Sequence, residues 1–211
     1  MLNEQMARGV GPARINIAYE QRGDAADPPV LLIMGLGAQL VHWSIGFLDA
    51  LVARGLFVIR FDNRDAGRSS HFSNAPRADL AAALAGDFSS AAYTLSDMAV
   101  DAVGLLDALN IGAAHIVGAS LAGYIAQAIA IAHPHRILSL TSMMASTGDA
   151  SVGQCHADIR AAIFGGPPVA AREEFISRAL RIAPFIRSQT DQTAPEEIAA
   201  TAGAAWDRGY D

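Results

Sequence analysis

Strand-like and helix-like segments alternate along the first two thirds of the chain, and no other feature restricts its fold as strongly. Ile15–Glu20 alternates apolar and polar side chains as a half-buried strand does. Val30–Met34 is instead a continuous apolar run between Pro28-Pro29 and Gly35, the pattern of a strand buried on both faces. Ser44–Arg54 has helical spacing with Gly55 as its stop, Phe57–Phe61 is strand-like, and Asp62–Ser73 is a polar, glycine-containing loop. After an alanine-rich stretch, Thr94-Leu95-Ser96-Asp97 is a capping-box variant. It opens a helix with Met98, Ala102, Leu105 and Leu109 on one face, which Asn110-Ile111-Gly112 ends. His115–Gly118 is a short strand, Leu121–Ala132 a helix stopped by His133-Pro134, and Ile137–Met144 a further apolar strand. Strands separated by helices predict a mostly parallel sheet covered on both faces, a three-layer α/β fold.

After Thr147 the pattern changes to helices only: Gln154–Phe164, Val169–Ala183 and Thr193–Tyr210, separated by Gly165-Gly166-Pro167-Pro168 and by Pro184. Thr193-Ala194-Pro195-Glu196 reads as a second capping box. The expected division is an α/β core over 1–147 and a helical appendage over 148–211.

Composition removes several classes of function. With 52% hydrophobic and 17% charged residues the chain is too apolar to be disordered. Its net charge is −6, and all basic residues are arginine and scattered, so it lacks the dense basic face that nucleic acid requires. The single cysteine, Cys155, rules out an internal disulfide and has no activating partner in sight. No Cys/His cluster has zinc spacing. Met1–Gly9 contains Glu4 and Arg8 and lacks the apolar centre of a signal peptide, so a cytoplasmic protein is expected. Ile116–Ala132 approaches the length of a membrane span, but Gly118, Ser120, Gly123 and Gln127 break it into a strand and a helix. A buried segment is expected there, not a membrane one.

The strongest chemical signal is Gly118-Ala119-Ser120-Leu121-Ala122-Gly123, in which a strand runs into a helix through Gly-x-Ser-x-small. A serine on such a turn projects its hydroxyl at the carboxyl edge of the sheet, where a helix N-terminus favours developing negative charge. Small residues also serve close packing alone, so the motif by itself leaves both readings open. Met34-Gly35-Leu36-Gly37 follows a buried strand, where a second set of backbone donors would stand.

Together the phrases VLLIMGLGAQLVHW, VIRFDNRDAGRSS, HIVGASLAGYIAQAIA and SLTSMMASTGD resemble the α/β-hydrolase superfamily, in particular its aclacinomycin methylesterase-like branch. The resemblance implies a serine hydrolase that cleaves a carboxylic ester through an acyl-enzyme. Ser120 would be the nucleophile and the backbone N–H groups of Leu36 and Leu121 the oxyanion hole, with the helical appendage as cap. It implies no metal and no organic cofactor, and a small-molecule ester as partner.

The family carries its acid and histidine after the cap, on two further strands, and neither strand is found here. No histidine follows His156. The chain is therefore expected to be the N-terminal portion of a longer hydrolase, inactive by itself. His42, beside Trp43, is the best placed substitute base, though a packing role is the plainer reading. His71 is expected to be solvated, and His115, His133 and His135 to be structural. Asp149 follows the last strand, where some relatives place the acid. Asp62, Arg64 and Asp65 are expected to form a solvated or salt-bridged turn. A rival reading takes Gly35-x-Gly37 as a dinucleotide (NAD or NADP) loop with Asp62 as ribose acid, but Leu40 stands where its third glycine belongs. A non-catalytic binding module on the hydrolase fold is the remaining alternative.

Overall fold

The computed structural model describes residues 3–76, 78, 79, 82, 83, 85–149, 151–166, 169–188 and 190–209. Six strands, β1 (Glu4–Val10), β2 (Ile15–Arg22), β3 (Pro29–Ile33), β4 (Phe57–Phe61), β5 (Ala114–Ala119) and β6 (Ile137–Met143), form one sheet in the order β1-β2-β4-β3-β5-β6. β1–β2 and β2–β4 are antiparallel, and β4–β3, β3–β5 and β5–β6 are parallel. Helices of this region include α1 (Ile45–Val52), α2 (Leu95–Ala108) and α3 (Leu121–Ala132).

Side-chain alternation along the central strands sorts the core into two layers. Leu31, Ile33, Ile59, Phe61 and Ile116 pack with Met98, Ala102 and Leu105 of α2 and Ile125 and Ile129 of α3. Val30, Leu32 and Val58 face the other way, onto Leu48 of α1 and Trp43. Both faces of β3 and β4 are therefore covered, and their lack of polar alternation is explained. The α/β expectation holds, with helices on both sides of a mostly parallel sheet.

The chain divides into two compact units, residues 1–145 and 146–211. The second contains α4 (Ala157–Phe164), α5 (Arg172–Ile186) and α6 (Pro195–Asp207), and no strand among its described residues. Pro167, Pro168 and Tyr210, read above as separators and as a helix end, lie outside the described residues.

Three local expectations are corrected. The strand β1 had no counterpart in the sequence reading, because Glu4 and Arg8 interrupt its alternation; only two of its seven residues are buried. Pro184 does not separate two helices but lies inside α5, two residues from its end. Its missing N–H there removes one hydrogen bond from a helix that is already closing. Thr193 does not cap α6. Its hydroxyl donates to Asp191 Oδ1 at 2.7 Å, and Ala194 takes the cap position ahead of Pro195.

Candidate active site

β5 enters α3 through Ser120, whose backbone has φ 57° and ψ −122°. A non-glycine residue in that region carries strain of about 1–3 kcal/mol and persists only where its surroundings hold it. They do so here: Ser120 N–H donates to Met143 O at 2.8 Å, and Ser120 O accepts from Gly123 N at 2.8 Å. The small residues of the motif are required by close backbone approach. A Cβ at Gly118 would lie 2.1 Å from Ala122 O, and one at Gly123 would lie 2.5 Å from Ala145 Cβ and 2.8 Å from Ser142 Oγ. Ala122 is fully buried yet tolerates its methyl, since the tight contact falls one residue later, at Gly123. Ser120 itself is exposed.

The loop after β3 lies against this turn. A Cβ at Gly35 would stand 3.0 Å from Ala119 O, 3.0 Å from Ser120 Cβ and 3.5 Å from Ser120 Oγ, so only glycine lets the two backbones meet. Leu36 follows Gly35, and Leu121 is the first residue of α3, where helix geometry leaves an orphan N–H. Among the described residues, neither the Leu36 N–H nor the Leu121 N–H has an acceptor. Ser120, Leu36 and Leu121 are thus brought together in one place.

The same loop is fastened from beneath by side chains that the sequence reading did not single out. Arg60 Nη1 donates to Leu40 O (2.9 Å) and Trp43 O (2.6 Å), while its Nε donates to Glu20 Oε2 (2.7 Å) in a buried ion pair. Asp62, fully buried, accepts from Leu40 N at 2.7 Å and from Arg68 N at 3.0 Å. Asn63 Nδ2 donates to Met34 O at 2.8 Å. The clue for Arg60 was a charge set inside the otherwise apolar strand FVIRF, tolerable on burial only with an opposite charge such as Glu20 beside it.

Of the solvated or salt-bridged turn expected at Asp62, Arg64 and Asp65, the salt-bridged form is found at Arg64, which pairs with Asp101, while Asp62 is buried and bonded to backbone N–H groups. Asp62 bonds two loops through its two oxygens and is fully buried, which puts it out of reach of a ribose. Arg64 is buried, bonded through two nitrogens to Asp101 at 2.6 and 2.8 Å, and stacked over the rings of Phe72 and Tyr93 at 5.0 and 4.9 Å. Only Asp65 is exposed; it accepts from Phe72 N at 2.6 Å. Burial, with a further contribution from Asp65, pushes the Tyr93 hydroxyl up to about 12.

The histidines fall elsewhere. His42 is held to its own loop, Nδ1 accepting from Gln39 N at 3.0 Å in a capping box. His71 is half-buried, with Nε2 3.0 Å from Gly67 O. His115 Nδ1 lies 2.8 Å from Ser139 Oγ, and His133 and His135 meet edge to face at 6.4 Å. His156 is the N-cap of α4. Asp149 is exposed and accepts from Ser151 N (2.7 Å) and Ser151 Oγ (2.6 Å), bonds that lower its carboxyl below the usual range. Neither a histidine nor a carboxylate is hydrogen-bonded to Ser120 Oγ among the described residues. No helix among them is long and apolar enough to cross a membrane, and no cluster of three or more metal-ligating side chains occurs. Cys155 is exposed and free.

The model of the alpha/beta hydrolase fold family matches residues 28–192. Rhodomycin D methylesterase DauP of Streptomyces sp. (strain C5) and DnrP of Streptomyces peucetius are each 39% identical over 155 residues, covering 74% of this chain and 46% of those proteins. The chain thus spans less than half the length of these relatives. Among solved structures, a hydrolase from Pseudomonas aeruginosa PA01 superposes with a TM-score of 0.61 at 25% identity, covering 99% of this chain and 74% of that one.

Proposed function

Because the chain belongs to the α/β-hydrolase fold family, we propose that its protein hydrolyses a carboxylic ester with Ser120 as nucleophile. The observation that carries the reading is the strained, exposed Ser120 beside two backbone N–H groups that have no acceptor among the described residues. In this mechanism Ser120 Oγ bonds to the acyl carbon as the carbonyl electron pair moves onto its oxygen. The N–H groups of Leu36 and Leu121 hold that oxyanion, and their being main-chain makes the leucine identity immaterial to this task. An imidazole takes the serine proton and returns it to the leaving alcohol, and water then releases the acid from the acyl-enzyme by the same route. Among the described residues no histidine is hydrogen-bonded to the Ser120 hydroxyl, and none is assigned here as that base.

The name of the two Streptomyces relatives makes a methyl ester the first substrate to try. Leu36 and Met144, 66% and 70% exposed, flank the residues that touch Ser120 and suit an apolar ester.

Chemical rescue tests the reading on the chain as it exists. A serine without its base is a weak nucleophile at neutral pH. We expect little turnover of a short p-nitrophenyl ester in plain buffer, and a rise on adding free imidazole that Ser120→Ala abolishes under identical conditions. Rates equal in wild type and Ser120→Ala with imidazole present would overturn the assignment.

A further inference from the structure

We propose that Asn63 is a positioning residue for the Leu36 donor, an inference that rests on the hydrolase reading for its purpose but not for its geometry. Gly35 joins two peptide planes, and lacking a Cβ it does little to restrain either. Each plane is fixed instead through its carbonyl. Met34 O, on the first plane, accepts from Asn63 Nδ2 at 2.8 Å. Gly35 O, on the second, accepts from Ala38 N at 3.1 Å. In a trans peptide the C=O and N–H point in opposite directions, so the Ala38 bond to Gly35 O sets the heading of the Leu36 N–H, and the Asn63 bond to Met34 O holds the preceding plane, from which that turn starts. Gly37, at φ 67°, closes this turn, and its exposed position offers no packing to hold it.

The other fasteners lie too far along the loop to do the same. Arg60 and Asp62 bind at Leu40 and Trp43, beyond the turn. Asn63 alone, among the described residues, has a side chain bonded to the backbone between Met34 and Ala38. It is 6% exposed, so its amide is held in place and shielded from competing water. Its purpose follows from catalysis: a donor aimed before the reaction costs no reorganisation when negative charge appears.

Asn63→Asp separates this role from plain structural support. An ionised carboxylate cannot donate to Met34 O and repels it, whereas the protonated acid donates as the amide does. Burial and that bond both favour the neutral form and raise the new carboxyl above the ordinary value of about 3.9. With ¹⁵N-labelled protein, the Leu36 amide shift and Ala38 amide exchange are followed from pH 8 downward. At high pH, Asn63→Asp should show a displaced Leu36 resonance and Ala38 exchange about tenfold faster, the effect of losing roughly one hydrogen bond. Both should return toward wild type on acidification, while wild type stays flat and Asn63→Ala stays displaced at every pH. Wild-type Leu36 and Ala38 signals in Asn63→Ala, or a displacement in Asn63→Asp that acid does not reverse, would overturn the proposal. If Asn63→Asp fails to fold, Asn63→Ala decides alone. These signals need no turnover, so the hydrolase reading can fail without touching them. If imidazole-supported turnover is present, Asn63→Ala should lower kcat with little change in KM.

Discussion

Ser120 is the residue at which the fold stores strain, and the strain is measurable apart from any reaction. Its φ of 57° belongs to a region that glycine enters freely and that a Cβ makes costly. Removing the hydroxyl alone leaves that cost in place, and removing the Cβ as well relieves it. Ser120→Gly should therefore be more stable than Ser120→Ala by about 1 kcal/mol, after allowing for the extra freedom glycine gives the unfolded chain. Thermal melts of the two variants check this, and an alanine variant at least as stable as the glycine one would mean that the turn is relaxed. Part of this was legible beforehand. A serine between small residues at a strand-to-helix junction is visible in one dimension, and so is the glycine of the neighbouring loop. The side chains that hold the loop were not, because Arg60, Asp62 and Asn63 act on Met34, Leu40 and Trp43, contacts that exist only once β3 and β4 lie side by side.

At the scale of elements, helix caps carry information in both directions. Thr94 Oγ1 accepts from Asp97 N at 3.2 Å, and Asp97 Oδ2 accepts from Thr94 N at 2.7 Å, closing the box at the start of α2. The Thr94 hydroxyl and N–H lower the Asp97 carboxyl below its usual range. A depressed folded-state value means that Asp97 adds stability above the unfolded value of about 3.9 and loses it as pH falls through the lower folded one. Thr94→Ala should thus cost about 1 kcal/mol near neutral pH, and its deficit against wild type should narrow below roughly pH 4. Denaturant titrations at both pH values test the sign; a deficit that widens in acid would contradict the capping account. The cap of α2 was readable because both partners lie within four residues of sequence. The start of α6 was misread because Asp191, two residues upstream, takes the Thr193 hydroxyl that the motif had reserved for the helix. Local patterns are reliable only where no competing local partner stands nearby.

For the whole molecule, the two edges of the sheet differ in a way that governs association. β1 carries Glu4 and Arg8 and an irregular register between Ala7 and Val10, features that discourage pairing with another strand. β6 has neither protection. Ile137–Met143 contains no charge, pairs among the described residues only with β5, and exposes five consecutive residues, including Leu138 at 53% and Leu140 at 40%. A parallel strand at the edge of an α/β sheet is ordinarily covered on both faces, and one left open presents free backbone groups next to apolar side chains. The 211-residue chain should accordingly self-associate in a concentration-dependent way, as size-exclusion chromatography with light scattering would show. Replacing Leu138 and Leu140 together by lysine places repelling charges along that edge and should shift the population toward monomer while leaving the far-ultraviolet circular dichroism unchanged. A wild-type chain that stays monomeric at high concentration would show that β6 does not template association, and equal association in the double-lysine variant would move the contact to another surface.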